Sequence, residues 1–208
     1  LHLLSRRQRQ MCIRDSYTRT LKLEDSDGRA PMIANACEGK KGYDGASDIT
    51  INGGTVTATS SVGMFVGAGI GGGQGGVGEQ IYVYSGKLTA TSVSQGAGIG
   101  GGQGGPGRFI YIKGGTVNAG SESGGAGIGS GDQDGQNKSE DAHHIEISGG
   151  TVEAWSNYAG AGIGGGRDGS GCDISITGGV VQAQGYFGAG IGGGMNGDSW
   201  NILIKDTT

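Results

Sequence analysis

Pairs of β-branched residues separated by a single position run through the chain: Ile49/Ile51, Ile81/Val83, Ile110/Ile112, Ile145/Ile147, Ile174/Ile176 and Ile202/Ile204. Such alternation predicts short, half-buried strands. A small-residue step follows each of the first five pairs, at Gly53-Gly54, Ser85-Gly86, Gly114-Gly115, Gly149-Gly150 and Gly178-Gly179. Glycine supplies the backbone angles of a sharp corner. A second alternating strand comes next: Val56/Ala58, Leu88/Ala90, Val117/Ala119, Val152/Ala154 and Val181/Ala183. A variable linker then leads to GAGIG, where Ala68 and Ile70 share one parity and Gly67, Gly69 and Gly71 take the other. This predicts a third strand with bare outer positions. Gly75-Gly76, Asp134-Gly135, Asp168-Gly169 and Asn196-Gly197 mark the return turn.

The GAGIGGG stretch at Gly67 to Gly73 returns at Gly96 to Gly102, Gly160 to Gly166 and Gly188 to Gly194. The copy at Gly125 to Gly131 differs only by Ser130. Its isoleucines, Ile70, Ile99, Ile128, Ile163 and Ile191, recur at intervals of 29, 29, 35 and 28 residues. A fixed period in this range means a stacked repeat array. Three strands per period predict an all-β fold, a right-handed parallel β-helix with three faces and about six coils of 28–35 residues. Helical repeats do not fit, because nothing recurs at i, i+3, i+4 and glycine is costly inside helices. The five isoleucines are expected in one interior column, with equivalent strands about 4.8 Å apart. The central glycines Gly69, Gly98, Gly127, Gly162 and Gly190 are expected as a bare strip on the outside, through a need for unusual backbone angles or through a packing partner. The first of these two causes is the favoured one.

Three segments are expected. Residues 46–208 form the solenoid, read as a fragment continuing beyond both ends. Residues 17–45 form a degenerate first coil, with Leu21-Lys22-Leu23 as its Ile-x-Ile unit and Leu23 one period before Ile51. Residues 1–16 stand apart, because Arg6 to Ser16 reads as a translated sequencing adapter and not as native chain.

Composition narrows the function classes. Gly is 51 of 208 residues, but Pro is only 2 and no three-residue period exists, so collagen is excluded. Regularly placed Ile, Val and Ala argue against disorder. No apolar run approaches the roughly 18 residues of a membrane span. The formal charge is −4, and the first sixteen residues hold four Arg and one Asp, so the remainder carries −7. An acidic array has no electrostatic footprint for nucleic acid. Cys37 and Cys172 lie several repeats apart, too far for a disulfide within a stack.

The unit Ile49 to Ala58 (ITINGGTVTA) followed by GAGIGGG resembles Gly-rich repeats of large extracellular proteins from anaerobic gut-type bacteria. It is similar, more loosely, to a clostridial carbohydrate-binding β-helix family with a pectate-lyase-like fold. The resemblance covers residues 46–208. It implies a secreted or cell-wall-attached location. The regular array and the scatter of its catalytic candidates favour a non-catalytic module that binds glycan or acts as an adhesin, with a polysaccharide or cell-surface glycan as partner.

Candidate chemistry lies on the outward positions. Parity places Tyr82, Tyr84 and Tyr111 outward on the first face, and Phe109 on the same side. These four aromatics on two adjacent coils form either a platform for sugar rings or a stacking ladder that stabilises the sheet. Trp155, outward on the second face, is a separate carbohydrate-binding candidate. The longest repeat carries Asp132, Asp134 and Asn137 around a Gly; these oxygens suit Ca2+ or form a solvated acidic loop. No other cofactor is expected. GAGIGG satisfies the G-x-G-x-x-G pattern, but no helix pattern follows any copy, which excludes the dinucleotide fingerprint. His143 and His144 are neighbours on a strand, so their rings should point to opposite faces and not share an ion. Glu146 and Glu153 fall on different faces and make a poor pair for glycoside hydrolysis. Arg167, Asp168 and Asp173 are the basis for the alternative of a polysaccharide lyase or hydrolase; a passive surface stalk is the third.

Overall fold

The computed structural model describes residues 20–24, 45–60, 66–132 and 141–205. All regular structure among them is β, and every strand pair is parallel. β1 (Thr20–Glu24) precedes the regular coils. The first coil holds β2 (Ile49–Ser60) and β3 (Ile70–Gly71), and the second β4 (Gly78–Ser92) and β5 (Ile99–Gly100). The third has β6 (Gly107–Ile112), β7 (Thr116–Ser121) and β8 (Ile128–Gly129). The fourth has β9 (Ala142–Ile147), β10 (Thr151–Ser156) and β11 (Ile163–Gly164). The fifth has β12 (Gly171–Ile176), β13 (Val180–Gly185) and β14 (Ile191–Gly192), and β15 (Ser199–Ile204) opens a further first-face strand. The described chain thus makes five turns, one fewer than the spacing suggested.

The first two faces belong to one ten-stranded sheet, because β2 and β4 run unbroken through the corner between them. In later coils the corner breaks the strand at glycines in the left-handed region, Gly115, Gly150 and Gly179, with φ of 88°, 92° and 87°. The third face is a separate five-stranded sheet of Ile-Gly pairs in the order β14-β11-β8-β5-β3. Ile70, Ile99, Ile128, Ile163 and Ile191 pair in direct register, and the first four are fully buried. They join Ile81, Ile110, Ile112, Ile145, Ile147 and Ile174 in one continuous core with the second-strand Val, Leu and Ala residues. Three of the expected return turns form: Gly76, Gly169 and Gly197 donate back to the carbonyls of Gly73, Gly166 and Gly194, with Asp168 and Asn196 at positive φ, and Gly105 does the same to Gly102. The turn expected at Asp134-Gly135 lies outside the described residues.

Three expectations need correction. β1 pairs with the second strand of the first coil, Leu21 opposite Val56 and Leu23 opposite Ala58. It is therefore a second-face strand, not the Ile-x-Ile unit one period before Ile51. Residues 1–19 and 25–44, including the adapter-like stretch, lie outside the described residues.

The third strand is only two residues long. Each GAGIGG is a tight loop in which the Ala N–H bonds four residues forward, as from Ala97 to Gly101 (2.9 Å) and from Ala161 to Gly165 (2.8 Å).

The central glycines, lastly, do not form an outer strip. Gly69, Gly98, Gly127 and Gly162 are buried, and none lies in the left-handed region. A Cβ on Gly98 would stand 2.5 Å from the Gly120 nitrogen and 2.8 Å from the Ala90 oxygen. Glycine is required because the loop backbone lies directly on the second-strand backbone. This is close approach within the molecule, not an unusual dihedral angle and not an outside partner.

A buried serine column seals the same corner. Ser60, Ser92, Ser121 and Ser156 are in register at the end of the second strand and almost fully buried. Each later hydroxyl bridges to the preceding loop: Ser121 Oγ donates to the Gly96 carbonyl (3.0 Å) and Ser156 Oγ to the Gly125 carbonyl (2.9 Å). Buried polar groups require such partners. The signal was in the sequence, as a Ser two residues after each core Ala at 58, 90, 119 and 154.

Candidate functional site: the tyrosine face

Parallel register sets the tyrosines beside one another. Tyr82 on β4 is opposite Tyr111 on β6, and Tyr111 is opposite Glu146 on β9. The Tyr82 and Tyr111 rings stack at 4.9 Å and 10°, and Tyr82 and Tyr84 stand 6.3 Å apart at 9°. Tyr84 is 44% exposed. The Lys113 ammonium lies 5.5 Å from the centre of its ring, within cation–π range. Burial, then Tyr82 and Glu146, push the Tyr111 phenol above its ordinary value. Stacking turns ring faces toward each other. Outward, the row presents ring edges and phenol hydroxyls flanked by an ammonium and a carboxylate.

Phe109 does not join this row. One residue before the first Ile of each coil the backbone enters the left-handed region: Asp48, Gln80, Phe109, His144, Asp173 and Asn201 have φ from 52° to 58°. That step breaks strict alternation, so counting by twos from Tyr111 misplaces Phe109. Its ring meets His143 at 5.7 Å and His144 at 4.9 Å instead.

The same step overturns the expectation for the histidines. Their rings share one side, with Nδ1 of His143 2.9 Å from Nδ1 of His144. Burial, His144 and Arg108 lower the His143 pKa, against weaker opposing effects of Asp173 and Asp141.

Trp155 lies across Gly120 of the preceding coil, where a Cβ would fall 2.0 Å from its ring. Its Nε1 donates to Asn118 Oδ1 (3.1 Å), and Asn118 donates in turn to Glu153 (2.8 Å). The indole is half-buried and one of its faces is covered. Of the calcium candidates only Asp132 falls among the described residues. It is 1% exposed and accepts a bidentate pair from Arg167, Nε to Oδ1 at 2.9 Å and Nη2 to Oδ2 at 3.0 Å. Asp134 and Asn137 lie outside the described residues.

The residues of the enzyme alternative are likewise engaged along columns. Arg167 holds Asp132, Asp168 accepts from Asn196 (2.9 Å), and Asp173 accepts from Asn201 (2.5 Å). Glu146 and Glu153 sit on β9 and β10, on different faces as expected. A further aromatic group went unnoticed in the sequence: Tyr158, Tyr186 and Phe187 are exposed at the second corner, with ring contacts of 5.4 and 4.7 Å to Phe187. Tyr186 and Phe187 are chain neighbours, and the stacking of coils four and five adds Tyr158.

No helix among the described residues is long and apolar enough to cross a membrane. Neither curated proteins nor solved structures give a match to the chain. A family model described as a beta helix repeat matches five successive stretches, residues 49–74, 81–103, 110–132, 145–167 and 174–195. Each begins at the first Ile of a coil and ends in the return turn, so the family's unit is the coil seen here. Together the stretches cover more than half of the sequence, and the chain belongs to the beta helix repeat family.

Proposed function

We propose that this chain is a non-catalytic, secreted or cell-surface β-helix module that binds glycan through Tyr82, Tyr84 and Tyr111. The observation that carries the reading is the tyrosine row itself. Three near-parallel rings on two adjacent strands stand beside Lys113 and Glu146, giving apolar edges and both hydrogen-bond donors and acceptors to a hydroxyl-rich ligand. The parallel ladder beneath holds the rings at fixed spacing, so little ordering would be needed on binding. The non-catalytic part rests on the carboxylates and arginine of the enzyme alternative, which are tied up in column contacts. The extracellular location rests on the resemblance of the repeat unit and the acidic, Gly-rich composition.

A passive stalk is the second reading. It is favoured by the 4.9 Å stack, which turns the Tyr82 and Tyr111 rings toward each other as a ladder that only stabilises the sheet would. A screen of plant and mucin polysaccharides with the intact chain separates the two. Binding should be found, and Tyr82→Ala with Tyr111→Ala should abolish it while leaving the circular dichroism unchanged. A screen without any ligand, paired with a lowered melting temperature in that variant, would leave the stalk.

A further inference from the structure

The histidine pair points to a second site that does not rest on the glycan reading. His143 and His144 are at the start of β9, and the left-handed turn at His144 (φ 55°) swings both imidazoles to one side. Their Nδ1 atoms approach to 2.9 Å. Two ring nitrogens at this distance either share one proton or share one cation. The next coil places Asp173 in the column of His144, also at positive φ, with Oδ2 3.8 Å from His144 Nδ1.

We propose that His143 Nδ1, His144 Nδ1 and Asp173 Oδ2 form a binding site for one divalent transition-metal ion of the zinc or copper class. The distances fit. Around an ion with bonds of roughly 2.0–2.1 Å, two donors stand about 2.9 Å apart at a right angle and about 4.1 Å apart when opposed. The 2.9 Å and 3.8 Å separations fall in that range. Imidazole with carboxylate is a donor set suited to zinc and copper and less to calcium or magnesium. Among the described residues no three His, Cys, Asp or Glu side chains are already arranged to hold a metal ion. The site therefore requires the Asp173 side chain to move toward the histidine pair when the ion binds.

The surroundings are built for such a pair. Asn201 Nδ2 donates to Asp173 Oδ1, which orients that carboxylate with Oδ2 toward the histidines. Supporting hydrogen bonds of this kind orient metal ligands. Phe109 packs on both imidazoles and limits their rotation. The nearby Arg108 charge is paired with Glu79 at 2.8 Å, and Asp141 adds negative charge. Cys172, one coil on in the His143 column, turns its thiol to the Ala142 carbonyl (3.6 Å) and is not one of the donors. In the ion-free state one Nδ1–H bonds the other Nδ1. Loading needs only that this proton move to Nε2 of the same ring, so two neutral imidazoles release none.

The experiment is zinc titration of the tag-free, chelator-stripped chain, read by calorimetry and by imidazole 15N shifts. One Zn2+ per chain is expected, with both Nδ1 resonances moved. His144→Asn decides the matter, because Asn tolerates the left-handed region and already occupies this column at Asn201. It should keep the circular dichroism and weaken Zn2+ by more than about 100-fold, with Asn201→Ala costing about 10-fold. The proposal is overturned if the wild-type chain takes up no Zn2+. It is equally overturned if His144→Asn keeps wild-type affinity, or if Cys172→Ser is the change that removes binding.

Discussion

Replacing Gly127 by Ala adds one methyl group at a crowded point of the array. The new Cβ would lie 2.6 Å from the Trp155 nitrogen, 2.7 Å from the Gly162 oxygen and 2.8 Å from the Ala119 oxygen. All three are backbone atoms fixed by ladder hydrogen bonds; the Gly162 oxygen accepts from Ile128 N–H at 3.0 Å. No side chain can swing away, so relief requires separating the loop from β7 and β10. Overpacking of a rigid core costs about 1–3 kcal/mol, and three backbone collisions put this change at the top of that range. The dihedral angle adds nothing, since Gly127 is outside the left-handed region.

Gly190→Ala is the internal control. It sits at the same place in the motif, yet meets a single close backbone atom, the Ala183 oxygen at 2.8 Å. It should cost clearly less. Urea unfolding compares the two, with hydrogen exchange at the β8 and β11 amides to localise the damage, because repeat arrays need not unfold as one unit. If Gly127→Ala were within about 0.5 kcal/mol of wild type, the level of an ordinary surface change, the close-approach argument would fail. Equal costs for the two variants would refute it as well.

Two further outcomes follow from buried and perturbed groups. Arg167→Met removes the bidentate partner of the buried Asp132 carboxylate and should cost up to about 3–5 kcal/mol in urea unfolding, with part of it regained when Asp132→Asn is added. Tyr111 should ionise later than an ordinary tyrosine in an absorbance titration, and Tyr111→Phe should remove that late component. Its folded pKa is raised, so its stabilising contribution is complete below the unfolded value of about 10 and is lost as pH rises through the higher folded value.

The repeat and its core were legible because burial acts on single residues. An Ile at fixed parity every coil can only be an interior column, and Ile70 through Ile163 are fully buried. The tyrosine row was legible for the same reason, since Tyr82 and Tyr111 keep parity with those isoleucines. What escaped was set by backbone geometry. The left-handed step before each first Ile moved Phe109 away from the tyrosines and turned His143 and His144 together. A hint was present, because four of the six residues at that step are Asp, His or Asn, types enriched at positive φ. The glycines could not be resolved from sequence at all. A missing side chain looks the same whether it faces solvent or another backbone, and only the Cβ distances at Gly98 and Gly127 tell them apart.

The remaining misses share one cause, and it bears on how such arrays carry function. Asp132 and Arg167 are 35 residues apart, yet they hold the same place after the glycine run, where the other coils have Gln74, Gln103 and Met195. Parallel stacking at about 4.8 Å turns equal places in successive coils into neighbours. Read along the chain, Asp132 looked like part of a calcium loop; read down its column, it has a guanidinium next to it. The same holds for His144 beside Asp173 and for Trp155 over Gly120. Chemistry in this fold is written down columns, at the coils where one column departs from its repeat. Aligning the coils and listing those departures is therefore the reading that finds sites from sequence, and it picks out the third and fourth coils here.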